Sequence, residues 1–243
     1  MTDTILETRG LTAGYVPDLP ILCDVAIRAA RGRITVVIGP NGAGKSTLIK
    51  AIAGLVPVSA GTVTLEGREI TGLRPDRMAA QGIAYVPQTD NIFRTLTIRQ
   101  NLELALRRAG PGASARLAAL LDRFPALAPK LGDKAGTLSG GQRQFLAVAM
   151  ALAADPRLIL MDEPSAGLSP RATREVLEMA QALAAQGVTI LLVEQNVKAA
   201  LGIADHCYIL AEGRNQVDGP ARALLDDPVV GEIYLGGRRA ETA

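Results

Sequence analysis

Gly39-Pro40-Asn41-Gly42-Ala43-Gly44-Lys45-Ser46-Thr47 fits the pattern G-x-x-x-x-G-K-[ST], a loop suited to holding phosphate. Ile34-Thr35-Val36-Val37-Ile38 precedes it, a β-branched apolar run that reads as a buried strand. After it, Leu48, Ile49, Ile52 and Leu55 recur at helical spacing, so the loop is predicted to open a helix. Gly39, Gly42 and Gly44 carry no Cβ, which lets the backbone wrap closely and turn its N–H groups inward. The positive end of the new helix adds to that cradle. In such a loop Lys45 reaches the β- and γ-phosphates, and the Ser46 hydroxyl ligates Mg²⁺. A glycine-rich turn can match the pattern by accident, but the strand before and the helix after are the context a phosphate site needs. The stretch reads as a nucleoside-triphosphate site.

The bulk composition bounds the rest. A chain of 243 residues accommodates one large domain or a domain with a subdomain. With 48% hydrophobic but only 3% aromatic residues and no Trp, its core is expected to be aliphatic. The net charge of +2 comes from 26 basic and 24 acidic residues, well mixed, with no basic block or aromatic-interleaved patch that would argue for nucleic acid. Cys23 and Cys207 have no metal spacing and read as buried thiols of a reduced compartment. Met1-Thr2-Asp3-Thr4 lacks the design of a signal peptide. The longest wholly apolar run, Phe145 to Ala154, is ten residues and too short to span a bilayer. A soluble, cytoplasmic protein is expected, with docking on a membrane partner left open.

Along the chain, Ile5 to Thr8 and Leu22 to Ala29 read as strands of a small β layer, joined by a turn holding Gly14, Pro17 and Pro20. Tyr15 in that turn is either a ring placed to stack on a base or an ordinary half-buried aromatic at a strand end. Gly61 to Gly67 reads as a strand, Pro75 to Gln81 as a short helix, and Ile83 to Pro87 as a strand leading into Gln88. From Thr97, a candidate N-cap, Ile98, Leu102 and Leu106 keep a helical period to Arg108, broken by Gly110, Pro111 and Gly112. Leu117, Leu120, Leu121 and Phe124 mark another helix, ended by Pro125. No convincing strand occurs between Gln88 and Ala154, so an all-helical insert is predicted there. After it, Arg157 to Met161, Val188 to Val193 and Cys207 to Leu210 read as strands, separated by helices over Pro170 to Ala185 and Asn196 to Ala204. That alternation implies parallel pairing. Gly236 to Ala243 reads as a frayed end.

Two further stretches carry chemistry. Leu158-Ile159-Leu160-Met161-Asp162-Glu163 is an apolar strand ending in two carboxylates. Beside a phosphate-loop strand, with its acids at the sheet's C-terminal edge, it would let Asp162 hold Mg²⁺ and Glu163 orient or deprotonate the attacking water. Two acids can also merely terminate a strand. Leu138-Ser139-Gly140-Gly141-Gln142 is a second anion-suited helix start, with Ser139 as cap and two glycines exposing N–H groups. Alone it is equally a well-capped helix. A second cradle makes sense if it faces the nucleotide of another subunit.

At this point the chain resembles the nucleotide-binding subunits of ABC transporters. The phosphate loop runs Gly39 to Thr47, the signature Leu138 to Gln142, and the Walker B strand Leu158 to Glu163. Gln88 matches the family's Q-loop glutamine, and Ser165 to Pro170 its D-loop. The resemblance covers essentially the whole chain. It implies an α/β fold: a P-loop NTPase core with an N-terminal antiparallel β layer and an inserted helical subdomain. In a single nucleotide-binding domain, 1–88 and 156–236 would make the core and β layer, 89–155 the helical subdomain, and 237–243 a tail.

The resemblance also implies roles. Gly39, Pro40, Asn41, Gly42, Ala43, Gly44, Lys45, Ser46, Thr47 and Gln88 would bind ATP, with Tyr15 stacked on adenine. Ser46, Gln88 and Asp162 would attend Mg²⁺, and Glu163 and Gln195 would serve catalysis. Ser139, Gly140, Gly141 and Gln142 would contact the nucleotide of a second ABC ATPase subunit in a head-to-tail dimer. Transmembrane permease subunits would dock near Gln88 and Ile92 to Leu96, placing the protein on the inner face of the membrane.

One position departs from the family. After Ile190-Leu191-Leu192-Val193-Glu194, where a histidine is usual, stands Gln195, and the single histidine, His206, starts a later strand and reads as structural. A glutamine amide donates a hydrogen bond but carries no charge. With Glu163 in place, hydrolysis is still expected. Val193 to Val197, Phe124 to Leu127, Lys134 to Leu138 and Ile233 to Gly236 are similar to the ATP-binding subunits of branched-chain amino-acid importers and their urea and amide relatives. Such importers often pair two different ATPases, so a heterodimer is expected alongside a homodimer, with a solute-binding protein acting indirectly. Pro87 to Leu96 also resembles the lipopolysaccharide-export ATPase. A soluble, non-transport ABC ATPase would tend to carry tandem cassettes or coiled-coil insertions, absent here. A small-molecule kinase would leave Leu138 to Gln142 unexplained.

Overall fold

In the computed structural model, which describes residues 3–108 and 112–225, strands β1 (Thr4–Ala13) and β2 (Leu22–Ala30) lead into β3 (Ile34–Ile38) and helix α1 (Lys45–Ile52). Next come β4 (Val58–Leu65), β5 (Arg68–Glu69), α2 (Pro75–Ala80) and β6 (Ile83–Val86). Helices α3 (Ile98–Ala105), α4 (Ala113–Arg123) and α5 (Gly140–Leu152) follow, joined by 3₁₀ turns. Then β7 (Leu158–Asp162), α6 (Pro170–Ala185), β8 (Thr189–Val193), α7 (Val197–Leu201), β9 (His206–Ala211), β10 (Arg214–Pro220) and α8 (Ala221–Leu224) alternate. Among the described residues no strand lies between Gln88 and Ala154, as the periodicity implies; an isolated bridge pairs Thr97 with Lys134.

Four strands form an antiparallel layer in the order β2-β1-β4-β5, and six form the central sheet in the order β10-β9-β3-β8-β7-β6. The central pairings are parallel except β9 with β10. Here one expectation fails: β7 does not lie beside the phosphate-loop strand. β8 and β9 occupy the two edges of β3, and β8 stands between β3 and β7. The carboxylates still reach the C-terminal edge, because Asp162 pairs in register with Val193.

All five residues of β3, β7 and β8 are buried. Parallel strands covered on both faces read as continuous apolar runs for this reason. Their side chains alternate between two cores. Val36, Ile38, Ile159, Met161, Ile190 and Leu192 pack with α3, α5 and α6. Val37, Leu158, Leu160, Leu191 and Val193 pack with α1 and the β layer. Each such side chain contributes roughly 1.5–3 kcal/mol on burial.

Several local readings are corrected. Leu55 does not belong to α1: the helix ends at Ile52 with Ala53 as its C-cap, and Leu55 is 48% exposed. The strand expected from Gly61 starts earlier, at Val58. Cys207 is buried, but Cys23 is only half-buried. β5, β10 and α8 have no counterpart in the sequence reading. The Gly110-Pro111 break, the stretch Ile233 to Gly236 and the tail 237–243 lie outside the described residues. Among the described residues no helix is long and apolar enough to cross a membrane.

Candidate functional site

The 39–47 loop links the C-terminal end of β3 to α1, so backbone N–H groups gather where the strand ends and the helix begins. A Cβ on Gly39 would run into the Leu210 carbonyl, and Gly44, the N-cap, sits at φ 96° with Leu22 packed against it. The cradle is therefore shaped around the absence of side chains. Lys45 is 5% exposed, and its Nζ donates to the carbonyls of Gly39 at 2.8 Å and Pro40 at 3.1 Å. Burial pulls the Lys45 pKa below that of an ordinary lysine, against the opposing pull of Glu163, Asp162 and Glu194. Its Nζ stands 3.9 Å from Glu163 Oε1.

Asp162 ends β7 at 3% exposure with both oxygens engaged. Ser46 Oγ donates to Oδ1 at 2.8 Å, and the Tyr85 hydroxyl donates to Oδ2 at 3.2 Å. Burial, then the Asp162 charge, pushes the Tyr85 phenol well above its ordinary pKa, so it remains a donor. Glu163 follows at φ 46°, a left-handed conformation costing about 1–3 kcal/mol in a non-glycine residue. It is held by main-chain bonds, its N–H donating to Val193 O at 2.9 Å and its carbonyl accepting from Ala166 N at 3.1 Å. Gln88 Nε2 donates to Glu163 Oε2 at 3.0 Å, so the glutamine meets the second carboxylate rather than Asp162.

The structure thus brings together Lys45, Ser46, Gln88, Asp162 and Glu163. Gln195 joins them through its side-chain amide, which donates to Asn41 Oδ1 of the loop. Tyr15 is 53% exposed and lines a cavity of about 370 Å³ with Gly14, Pro20 and Pro57, a lining to which the 39–47 loop contributes no residue.

Ser139 caps α5 through a capping box: its Oγ accepts from Gln142 N at 3.3 Å, and Gln142 Oε1 accepts from Ser139 N at 3.2 Å. The Gln142 side chain is therefore engaged within its own helix end, where Lys130 Nζ also donates to it at 3.3 Å. Among the described residues these bonds do not reach the 39–47 loop. Gly140 instead lines a cavity of about 510 Å³ with Gln88, Asn91, Arg143 and Ala166 to Leu168.

Two residues that the sequence reading passed over belong to this region. One is Tyr85, a hydroxyl in a mostly apolar strand three residues before Gln88. The other is Glu194, 1% exposed, which follows the wholly buried β8. An acid abutting an apolar strand was the signal that singled out Asp162, and it applied equally to Glu194.

Comparison with known proteins agrees with this arrangement. Residues 22–166 match the ABC transporter family. The chain is 44% identical over 234 residues to a probable branched-chain amino acid transport ATP-binding protein of Archaeoglobus fulgidus, spanning 96% of this chain and 99% of that one. It is 38% identical to a high-affinity branched-chain amino acid transport ATP-binding protein of Pseudomonas aeruginosa, spanning 92% and 96%. A lipopolysaccharide export ATP-binding protein of Acidithiobacillus ferridurans is 36% identical, spanning 96% and 97%. Among solved structures, an ATP-binding cassette of an ABC transporter in its ADP conformation superposes with a TM-score of 0.86 at 30% identity, covering 97% of this chain and all of that one. By its phosphate loop, its paired carboxylates and these relatives, the chain belongs to the ABC transporter family, as one of its ATP-hydrolysing members.

Proposed function

We propose that the chain powers an importer of branched-chain amino acids, or of related small polar solutes such as urea and amides, through ATP-driven closure of two ATPase subunits. The observation that carries the ATPase half is the convergence of Lys45, Ser46, Asp162 and Glu163 at one sheet edge. The names of the relatives support the substrate class.

In this reading the loop N–H groups and Lys45 hold the phosphates, Glu163 accepts the proton of the attacking water, and the Gln195 amide turns from Asn41 to the γ-phosphate. Mg²⁺ fits the site: the Ser46 hydroxyl and Asp162 carboxylate are hard oxygen donors 2.8 Å apart at the mouth of the cradle, with Gln88 alongside. When bound, the ion supplies positive charge to the β- and γ-phosphate oxygens. Tyr15 covers the adenine. Ser139, Gly140, Gly141 and Gln142 meet the nucleotide of the second subunit, a different ATPase or a second copy. The helical stretch 89–155 moves as a subdomain, with permease subunits docking near Gln88 and Ile92 to Leu96 on the inner face of the membrane.

The test is paired. Cells lacking the gene are assayed for uptake of labelled leucine, urea and acetamide, with add-back of the wild type or Glu163→Gln. Loss of uptake of one of these, restored by the wild type only, supports the proposal; unchanged uptake of all three defeats the substrate class. In the purified complex Glu163→Gln lowers ATP turnover by roughly 10²–10⁴-fold. The 36% relative in lipopolysaccharide export supports a second reading. A defect in surface lipopolysaccharide with normal solute uptake would favour it.

A further inference from the structure

Among the described residues Glu194 is as buried as any charged group, and its carboxylate takes donors from two loops. Oε1 accepts from Ser165 N at 3.0 Å, and Oε2 accepts from Ser165 Oγ at 2.8 Å and from Gln195 N at 3.1 Å. Its own N–H donates to Val37 O of β3 at 3.2 Å, two residues before the phosphate loop. Protein N–H and O–H groups engage both of its oxygens, which ties this carboxylate to the two loops. What it joins is specific: Ser165 opens the 165–169 loop two residues after Glu163, and Gln195 is the residue bonded to Asn41.

We infer that Glu194 is a positioning residue that yokes the 195–196 segment to the 165–169 loop, so that the two take up their working places together. The inference rests on the roles proposed above for Glu163 and Gln195. Glutamine is a stringent replacement. If its NH₂ takes the Oε2 position it faces the Gln195 N–H, and if it takes the Oε1 position it faces the Ser165 N–H. The first orientation cuts the bond to Gln195, and the second leaves the 165–169 loop only the Ser165 Oγ bond, so either weakens the yoke while size and shape are kept.

Amide hydrogen exchange on the full-length chain tests the yoke directly. In Glu194→Gln, exchange in peptides covering 165–169 and 195–198 should speed up together by about tenfold, with β3, β7 and β8 unchanged. Affinity for a fluorescent ATP analogue should stay within about threefold, while turnover of the complex falls about tenfold. Ser165→Ala removes one bond from the far side of the yoke and should loosen 195–198 as well. The double variant should loosen the loops by less than the sum of the two single changes, because both act on one link. Loosening of one loop alone, loosening of the strands too, additive effects, or full turnover with both loops loosened would overturn the inference. Should Glu194→Gln not fold, Ser165→Ala decides by the same exchange. If Glu163→Gln hydrolyses ATP normally, the site assignment fails instead, and the exchange result stands on its own.

Discussion

Asp162 would hold metal with help from Tyr85, whose hydroxyl fixes one of its two oxygens. Removing an outer partner of a metal-binding carboxylate costs roughly 10–100-fold in metal affinity. Tyr85→Phe should therefore weaken binding of a fluorescent ATP analogue about tenfold with Mg²⁺ present and leave binding in EDTA unchanged. Equal affinities with the wild type in Mg²⁺ would remove Tyr85 from the site. Lys45 yields a prediction in pH. Its folded-state pKa is depressed, so between that value and the unfolded one the unfolded chain holds more protons, and wild-type stability gains as pH rises. Lys45→Met lacks this gain, so its Tm relative to the wild type should fall as pH is raised from about 8 to about 10. A constant difference would show that the burial of Lys45 carries no net charge penalty. The phosphate loop and the carboxylate pair were legible because their chemistry needs fixed residue types at fixed spacing. Tyr85 was not, because it acts on a partner 77 positions away, and no local pattern encodes such a meeting; Glu194 carried the mark of an acid abutting an apolar strand, but nothing local gave its meeting with Ser165, 29 positions away.

Helices α3 and α5 start alike. Thr97 with Gln100, and Ser139 with Gln142, form the same reciprocal capping box. The two boxes should cost the same to break and differ only in what they serve. Thr97→Ala and Ser139→Ala should each lose about 1 kcal/mol in urea denaturation. Only Ser139→Ala should also weaken ATP-dependent association, since only that helix start is proposed to face a second nucleotide. Equal association by both variants would make the second box a cap and nothing more. Caps and apolar periods were what made the helices readable, α6 down to its end residues at Pro170 and Ala185. β10 was missed for the opposite reason: Arg214-Asn215-Gln216-Val217-Asp218-Gly219-Pro220 buries no residue fully, so its place at the sheet edge leaves no apolar mark. Sheet order was equally hidden. Nothing in the runs of β3, β7 and β8 says which lies in the middle, and the expected neighbour was the wrong one.

For the whole molecule, the proposed closure requires two sites to complete each other. Glu163→Gln with ATP and Mg²⁺ should trap a dimer detectable by light scattering after size exclusion, with this chain alone or with its partner ATPase. A monomer under both conditions would contradict closure. Whatever moves in that process, the strands cannot. β3, β7 and β8 are gripped from both faces, and sliding any of them by one residue would exchange every side chain between the two cores. In the proposed closure, motion would fall to the joints, chiefly 87–97 and 163–169. A scan of single-residue insertions would then draw the machine's working plan: silence along three strands, tolerance in the loops away from the site, and at the joints proteins that fold, bind ATP and no longer couple the two.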